Sequence, residues 1–117
     1  MVTDHALAPC RRDTPALSAA ECRSRLTTLP AWQLVQVDGI PQLERRYPFR
    51  TFAEALAFGN VVGALAEAAD HHPALTVEWG QLTLRWWTHV IGGLHANDFV
   101  MAARCEAAYA AQAGAAP

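Results

Sequence analysis

The stretch Glu67–Asp98, EAADHHPALTVEWGQLTLRWWTHVIGGLHAND, decides the fold. An alanine-rich segment stops at Asp70-His71-His72-Pro73, because the residue before a proline avoids helical angles. Two apolar runs follow, Leu75 to Trp79 and Leu82 to His89, separated by the tight turn Gly80-Gln81. Their length and aromatic content predict a third and a fourth strand. On the second run Leu82, Leu84, Trp86 and Thr88 share one face, and Thr83, Arg85, Trp87 and His89 share the other. Val90 to His95 is a glycine turn, and a last helix is expected from about Ala96 to Ala111. Phe99, Met101 or Ala102, Cys105 and Tyr109 would form its apolar side.

Upstream, Thr51-Phe52-Ala53-Glu54 is a capping box, which opens a helix over Phe52 to Ala69. Phe52, Leu56, Val62 or Gly63, and Ala66 recur there at helical spacing. Trp32 to Val37 alternates with period two and turns at Asp38-Gly39 into a returning strand, Ile40 to Phe49. Pro41 and Pro48 restrict that strand and belong at its ends or on an edge. Ser18-Ala19-Ala20-Glu21 is a second capping box. It predicts a helix over about Ala19 to Thr28, with Cys22, Leu26 and Leu29 along one side, ended by Pro30. The expected class is α+β, in the order α-β-β-α-β-β-α, with three helices on one face of a four-stranded antiparallel sheet. Residues 1–16 read as a mobile arm with at best local contacts, 17–112 as the folded domain, and the tail as frayed.

At 117 residues the chain has the size of one domain. With 52% hydrophobic and 17% charged residues it can bury a core and does not read as disordered. Nine arginines, no lysine and eleven acidic residues leave a net charge of −2, too balanced to predict a nucleic-acid partner. The three cysteines, Cys10, Cys22 and Cys105, form no C-x-x-C, so neither a disulfide framework nor a zinc ribbon is indicated. No signal-peptide core and no run near the roughly 18 apolar residues of a membrane span is read. The expectation is a soluble, reduced, cytoplasmic protein. The glycine fingerprints of phosphate loops and dinucleotide folds are absent.

Four of the five histidines lie in the opening stretch. Imidazole both gives and takes protons near neutral pH. His71 and His72 sit where a helix stops, and His89 sits at the end of the fourth strand. A hairpin returns that end to the start of the third strand, so one site can be built from two chain segments. The blander alternative is a helix end whose histidines answer the dipole. A metal site of His71, His72 and His89 with Asp98 is a sharper one, although zinc motifs usually space their ligands further apart. His5 with Cys10 as a metal pair and Cys105 as a nucleophile are weaker options. Trp79, Trp86 and Trp87 suit either the core or stacking on a flat ring. Arg45, Arg46 and Arg50 suit either an anion or a solvated sheet face.

Glu67, three residues, His71-His72-Pro73, five residues, Trp79, nine residues, His89, eight residues, Asp98: these spacings resemble the signature of the pterin-4a-carbinolamine dehydratases. The likeness continues through Trp86-Trp87-Thr88-His89, Gly92-Gly93-Leu94-His95, Asn97-Asp98-Phe99 and Met101-Ala102-Ala103-Arg104. It extends over about Leu17 to Ala108 and is greatest to bacterial members that work beside phenylalanine hydroxylase. The resemblance implies removal of water from 4a-hydroxytetrahydropterin to give quinonoid dihydropterin, without metal or organic cofactor, by a homodimer or homotetramer. Carried over residue by residue, it implies that His71 and His89 transfer protons, that His72 binds substrate and that Asp98 orients or charge-stabilises one histidine. Asp70 and Thr88 to Val90 would line the pterin site. Val90 stands where many relatives have a polar or acidic residue, and His95 where a capping Thr is common. The resemblance also leaves open a non-catalytic binding role, as in transcription-cofactor and RuBisCO assembly-factor branches.

Overall fold

The computed structural model describes residues 7–115. Two hairpins form the sheet. β1 (Gln33–Val37) turns into β2 (Ile40–Pro48) through Asp38 and Gly39, at φ 52° and 79°. Both residues are left-handed, as a two-residue turn matched to strand twist requires. β3 (Ala74–Glu78) turns into β4 (Gln81–Trp86) through Trp79 and Gly80. β2 and β4 then pair antiparallel, with Leu43 opposite Trp86 and Pro48 opposite Gln81. The sheet order is therefore β1-β2-β4-β3. β2 is an interior strand, so its prolines are tolerated as its second and last residues rather than on an edge.

β4 ends at Trp86 and does not run to His89 as the alternation suggested. The Thr88 N–H donates to the Gly93 carbonyl at 2.8 Å, which folds the chain back on itself. His89–Ile91 is instead a single 3-10 turn, closed by left-handed Gly92. Gly93 is needed for a close approach: a Cβ there would lie 3.0 Å from that of Ala16.

α1 (Ala19–Leu26) starts at the expected capping box. The Glu21 N–H donates to Ser18 Oγ at 3.1 Å and the Ser18 N–H to Glu21 Oε1 at 2.8 Å. It ends two residues before Thr28, where the Thr27 and Thr28 hydroxyls donate back to the Ser24 and Arg25 carbonyls. α2 (Phe52–Ala69) keeps its expected bounds and, of its expected face, Val62 and Ala66 but not Phe52 and Leu56. Ala55, Phe58, Gly59, Val62 and Ala66 are buried, whereas Phe52 and Leu56 are 46% and 45% exposed. The helix is apolar nearly all round, so spacing alone does not select a face. It also has the length and composition of a membrane-crossing helix, contrary to the expectation that no run comes close. Here its buried side lies on β3 and β4. α3 (Ala96–Ala115) runs past the expected Ala111. The tail expected to fray from residue 110 onward is instead helical as far as Ala115, and its last two residues lie outside the described residues.

The three helices cover one face of the sheet. Leu43 and Tyr47 from β2, Leu82, Leu84 and Trp86 from β4, Phe58 and Val62 from α2, and Met101 and Cys105 from α3 are fully buried together. Cys22 and Leu29 bring the α1 region into the same core. The arginines flagged for an anion are paired instead. Arg45 reaches Glu106 at 3.1 Å and lies 4.1 Å over the Tyr47 ring, Arg46 reaches Glu44 at 3.4 Å, and Arg50 reaches Glu54 at 3.0 Å. Arg45 is thus on the helix side of the sheet, not the solvated one. The N-terminal segment is held by more than local contacts: Leu17 donates to the Leu94 carbonyl at 2.8 Å, and Ala8 pairs with Asn97. His5 lies outside the described residues.

Candidate active site

Asp98 anchors the site. It is the third residue of α3 and is fully buried. A buried carboxylate needs donors to replace its lost hydration. Asp98 has three: the Thr88 hydroxyl at 2.8 Å, the His95 N–H at 2.9 Å, and His71 Nε2 at 2.6 Å. The Thr88 and His95 donors are placed by the backward turn after β4. His95 in turn accepts the Asn97 N–H on Nδ1 at 3.0 Å, so it caps α3 as a Thr would.

Asp70 ends α2 in the left-handed conformation at φ 51°. That reversal turns His71 inward, where its ring stacks on Trp86 with centroids 5.5 Å apart and planes 14° apart. The carboxylate of Asp98 can only accept, so Nε2 of His71 carries the hydrogen. Nδ1 is the ring nitrogen left unbonded to Asp98. Trp86 and Asp98 together fix both the plane and the tautomer of this ring.

His72 turns the other way. Its Nε2 is hydrogen-bonded to Glu67 Oε2, and both side chains are largely exposed. His89 Nε2 donates to the His72 carbonyl at 3.3 Å, and its ring lies 4.4 Å from that of Trp87. The backbone of one histidine thus positions the ring of another. Nδ1 of His89 has no hydrogen-bond partner among the described residues.

A cavity of about 630 Å³ opens between these segments. The sequence-derived residues Asp70, His71, His72, Thr88, His89 and Val90 all line it. Asp98 sits behind His71 and not on the cavity wall. The reading from sequence did not include Leu7, Ala8, Cys10, Ala69 and Asn97, which complete the lining. No local signal marks Ala8, whose contact with Asn97 spans 89 positions. Of the tryptophans weighed for stacking, Trp86 and Trp87 support histidines, whereas Trp79 is 77% exposed at the far end of the β3–β4 hairpin.

Among the described residues no group of three His, Cys, Asp or Glu side chains is placed to hold a metal ion. Cys105 lies in the core, where burial pushes its thiol up to about 12. It is no candidate for a nucleophile at neutral pH. Burial also pushes the Cys10 thiol up, against a lowering hydrogen bond with Thr14.

The profile of the family described as pterin 4 alpha carbinolamine dehydratase matches residues 15–108. A Gloeobacter violaceus protein named "Putative pterin-4-alpha-carbinolamine dehydratase 1" is 50% identical over 97% of this chain and 97% of its own. A Marinobacter nauticus protein with the same family name is 51% identical over 86% of this chain and 90% of its own. Among solved structures, a transcriptional coactivator/pterin dehydratase from Brucella melitensis superposes with a TM-score of 0.71 at 29% identity, covering 80% of this chain and 97% of that one. A pterin dehydratase-like protein described as a RuBisCO assembly factor of the alpha-carboxysome shares the fold, with a TM-score of 0.55 at 23% identity over 66% of this chain and 87% of that one. With a fold, a family profile and close relatives in agreement over nearly its whole length, this chain belongs to the pterin 4 alpha carbinolamine dehydratase family.

Proposed function

We propose that the protein dehydrates 4a-hydroxytetrahydropterin to quinonoid dihydropterin and water by histidine acid–base catalysis. The observation that carries this reading is that His71 and His89, from separate chain segments, line one cavity, each with Nε2 engaged and Nδ1 available. In the reaction the bond from C4a to the hydroxyl oxygen breaks while a double bond forms between C4a and N5. Hydroxide leaves poorly, so one imidazole protonates it as it departs and the other takes the N5 proton. Each positioned group of this kind contributes about 10²–10⁴-fold when its pKa lies near the working pH. Asp98 holds His71 in orientation through Nε2, and it supports the cation while that ring carries an extra proton. His72 and the Asp70 and Thr88–Val90 edges bind the heterocycle.

The physiological role proposed is recycling the pterin of an aromatic amino acid hydroxylase, that of phenylalanine, in the cytoplasm. A homodimer or homotetramer is proposed as well. Phe52, Leu56 and Val61 are large apolar residues left exposed on α2, which supports a covered helix face.

The test is dehydration of freshly generated 4a-hydroxypterin, followed by the absorbance of the quinonoid product. The parent accelerates it, and His71→Ala and His89→Ala each lose about 10²-fold or more. Equal rates for the parent and both variants would remove the assigned roles. A parent with no turnover would favour a binding role, the reading suggested by the coactivator and assembly-factor names of the two structural neighbours.

A further inference from the structure

The cavity wall contains a segment that the acid–base reading does not use. Leu7, Ala8 and Cys10 line the pocket, although they precede the rest of the domain. Asn97 holds Ala8 there. The Ala8 N–H donates to Asn97 Oδ1 at 2.8 Å, and Asn97 Nδ2 donates to the Ala8 carbonyl at 2.8 Å. One side-chain amide therefore satisfies both polar groups of one backbone residue. Asn97 is 7% exposed, and its own N–H is held by His95 Nδ1, so the clamp has a fixed base. A second attachment lies downstream, where Leu17 bonds Leu94. Between the two, Arg11 and Thr14 close a turn, with Arg11 N–H donating to Thr14 Oγ1 at 2.9 Å.

We propose that Asn97 is a positioning residue that straps Leu7–Cys10 across the histidine pocket, making this segment a wall of the substrate's binding site. The inference rests on the pterin reading for its ligand but not for its geometry. Leu7 and Ala8 offer apolar surface to a flat ring and exclude water from the side the histidines leave open. Desolvation of this kind strengthens the polar contacts made elsewhere in the pocket. Asn97 touches no reacting atom in this scheme. Its effect reaches the substrate through the strap.

Two variants separate strap from site. Asn97→Leu keeps the side-chain size and removes both hydrogen bonds, and Ala8→Pro removes the backbone N–H while keeping the carbonyl acceptor. Each is expected to raise KM for the 4a-hydroxypterin about tenfold while kcat stays within about threefold, the pattern of lost uniform binding. Iodoacetamide supplies a readout independent of activity. Cys22 and Cys105 are 2% and 0% exposed, so Cys10 is the accessible thiol. Its alkylation should speed up severalfold in both variants, and saturating 7,8-dihydrobiopterin should slow it in the parent. Unchanged alkylation and KM in the variants would overturn the clamp. Failure of the pterin to protect Cys10 in an active parent would overturn the wall. An inactive parent would overturn the dehydratase reading instead, and alkylation of the parent and variants without pterin would still decide the clamp. Should Asn97→Leu fail to fold, Ala8→Pro, which lies outside every helix and strand, carries the same test.

Discussion

Asp98 shows how much one buried side chain organises. Its two oxygens take hydrogen bonds from a hydroxyl and an amide of the turn after β4 and from an imidazole at the end of α2. Asp98→Asn keeps the shape but puts an NH₂ where an acceptor is required, so at least one donor is opposed. Leaving a buried donor unpaired costs about 1–3 kcal/mol, which a shift in the denaturant midpoint will show. Loss of the fixed His71 tautomer should also lower kcat by about 10²-fold or more, measured in single turnovers. A variant with full turnover and parental stability would mean that the carboxylate neither orients nor supports the ring. The histidines were legible in the sequence because their spacing from Glu67 to Asp98 is distinctive. The Thr88 and His95 donors were not, since no pattern in a strand end or a glycine turn reports where its polar groups will point.

The helices illustrate the reach and the limit of local rules. The Ser18–Glu21 capping box is a short-range motif and formed as read. The Ser18 N–H, and after it the Ser18 hydroxyl, hold the Glu21 carboxyl below its ordinary value of 4.5. A depressed acid contributes stability above its unfolded pKa and loses it as pH falls through the lower folded value. Amide protection in α1 should therefore decline on acidification through and below about pH 4.5, and the decline should vanish in Glu21→Gln. Ser18→Ala should cost about 0.5–2 kcal/mol by thermal unfolding. α2 is the opposite case. With alanine and large apolar residues on every side, its 3.6-residue period carries no phase, and the sheet chose Phe58 and Val62 over Phe52 and Leu56. β4 likewise read as continuous to His89 because its alternation persists past Trp86. A turn bond, from the Thr88 N–H to the Gly93 carbonyl five residues on, stopped it.

For the molecule as a whole, α2 leaves Phe52 and Leu56 exposed along one flank of its buried face and Val61 along the other. An apolar surface of this kind on an 18-residue helix is costly to leave in water. Leu56→Glu places a charge beside Phe52 on that flank without touching the core. Light scattering should give a multiple of 12.7 kDa for the parent and a smaller multiple for the variant, with unchanged circular dichroism. A parent that is already monomeric would remove the oligomer. The same scale explains the pocket. Joining β2 to β4 places the start of β3 and the end of β4 beside the end of α2, so His71, His72 and His89 meet at one end of the sheet.

What the sequence determined by itself was everything carried by neighbours in the chain: the element order, the capping boxes, the Asp38-Gly39 turn and the histidine signature. These depend on backbone preferences and spacings of a few residues, which the order of side chains encodes directly. Only the tertiary structure decided the buried side of α2, the end of β4, the ion pairing of the arginines and the attachment of Ala8 to Asn97. The buried side of α2, the Arg45 to Glu106 pair and the Ala8 attachment are choices between partners far apart in the chain, settled by which groups lose their water together, whereas the end of β4 and the other arginine pairs join near neighbours whose approach depends on how the backbone between them bends.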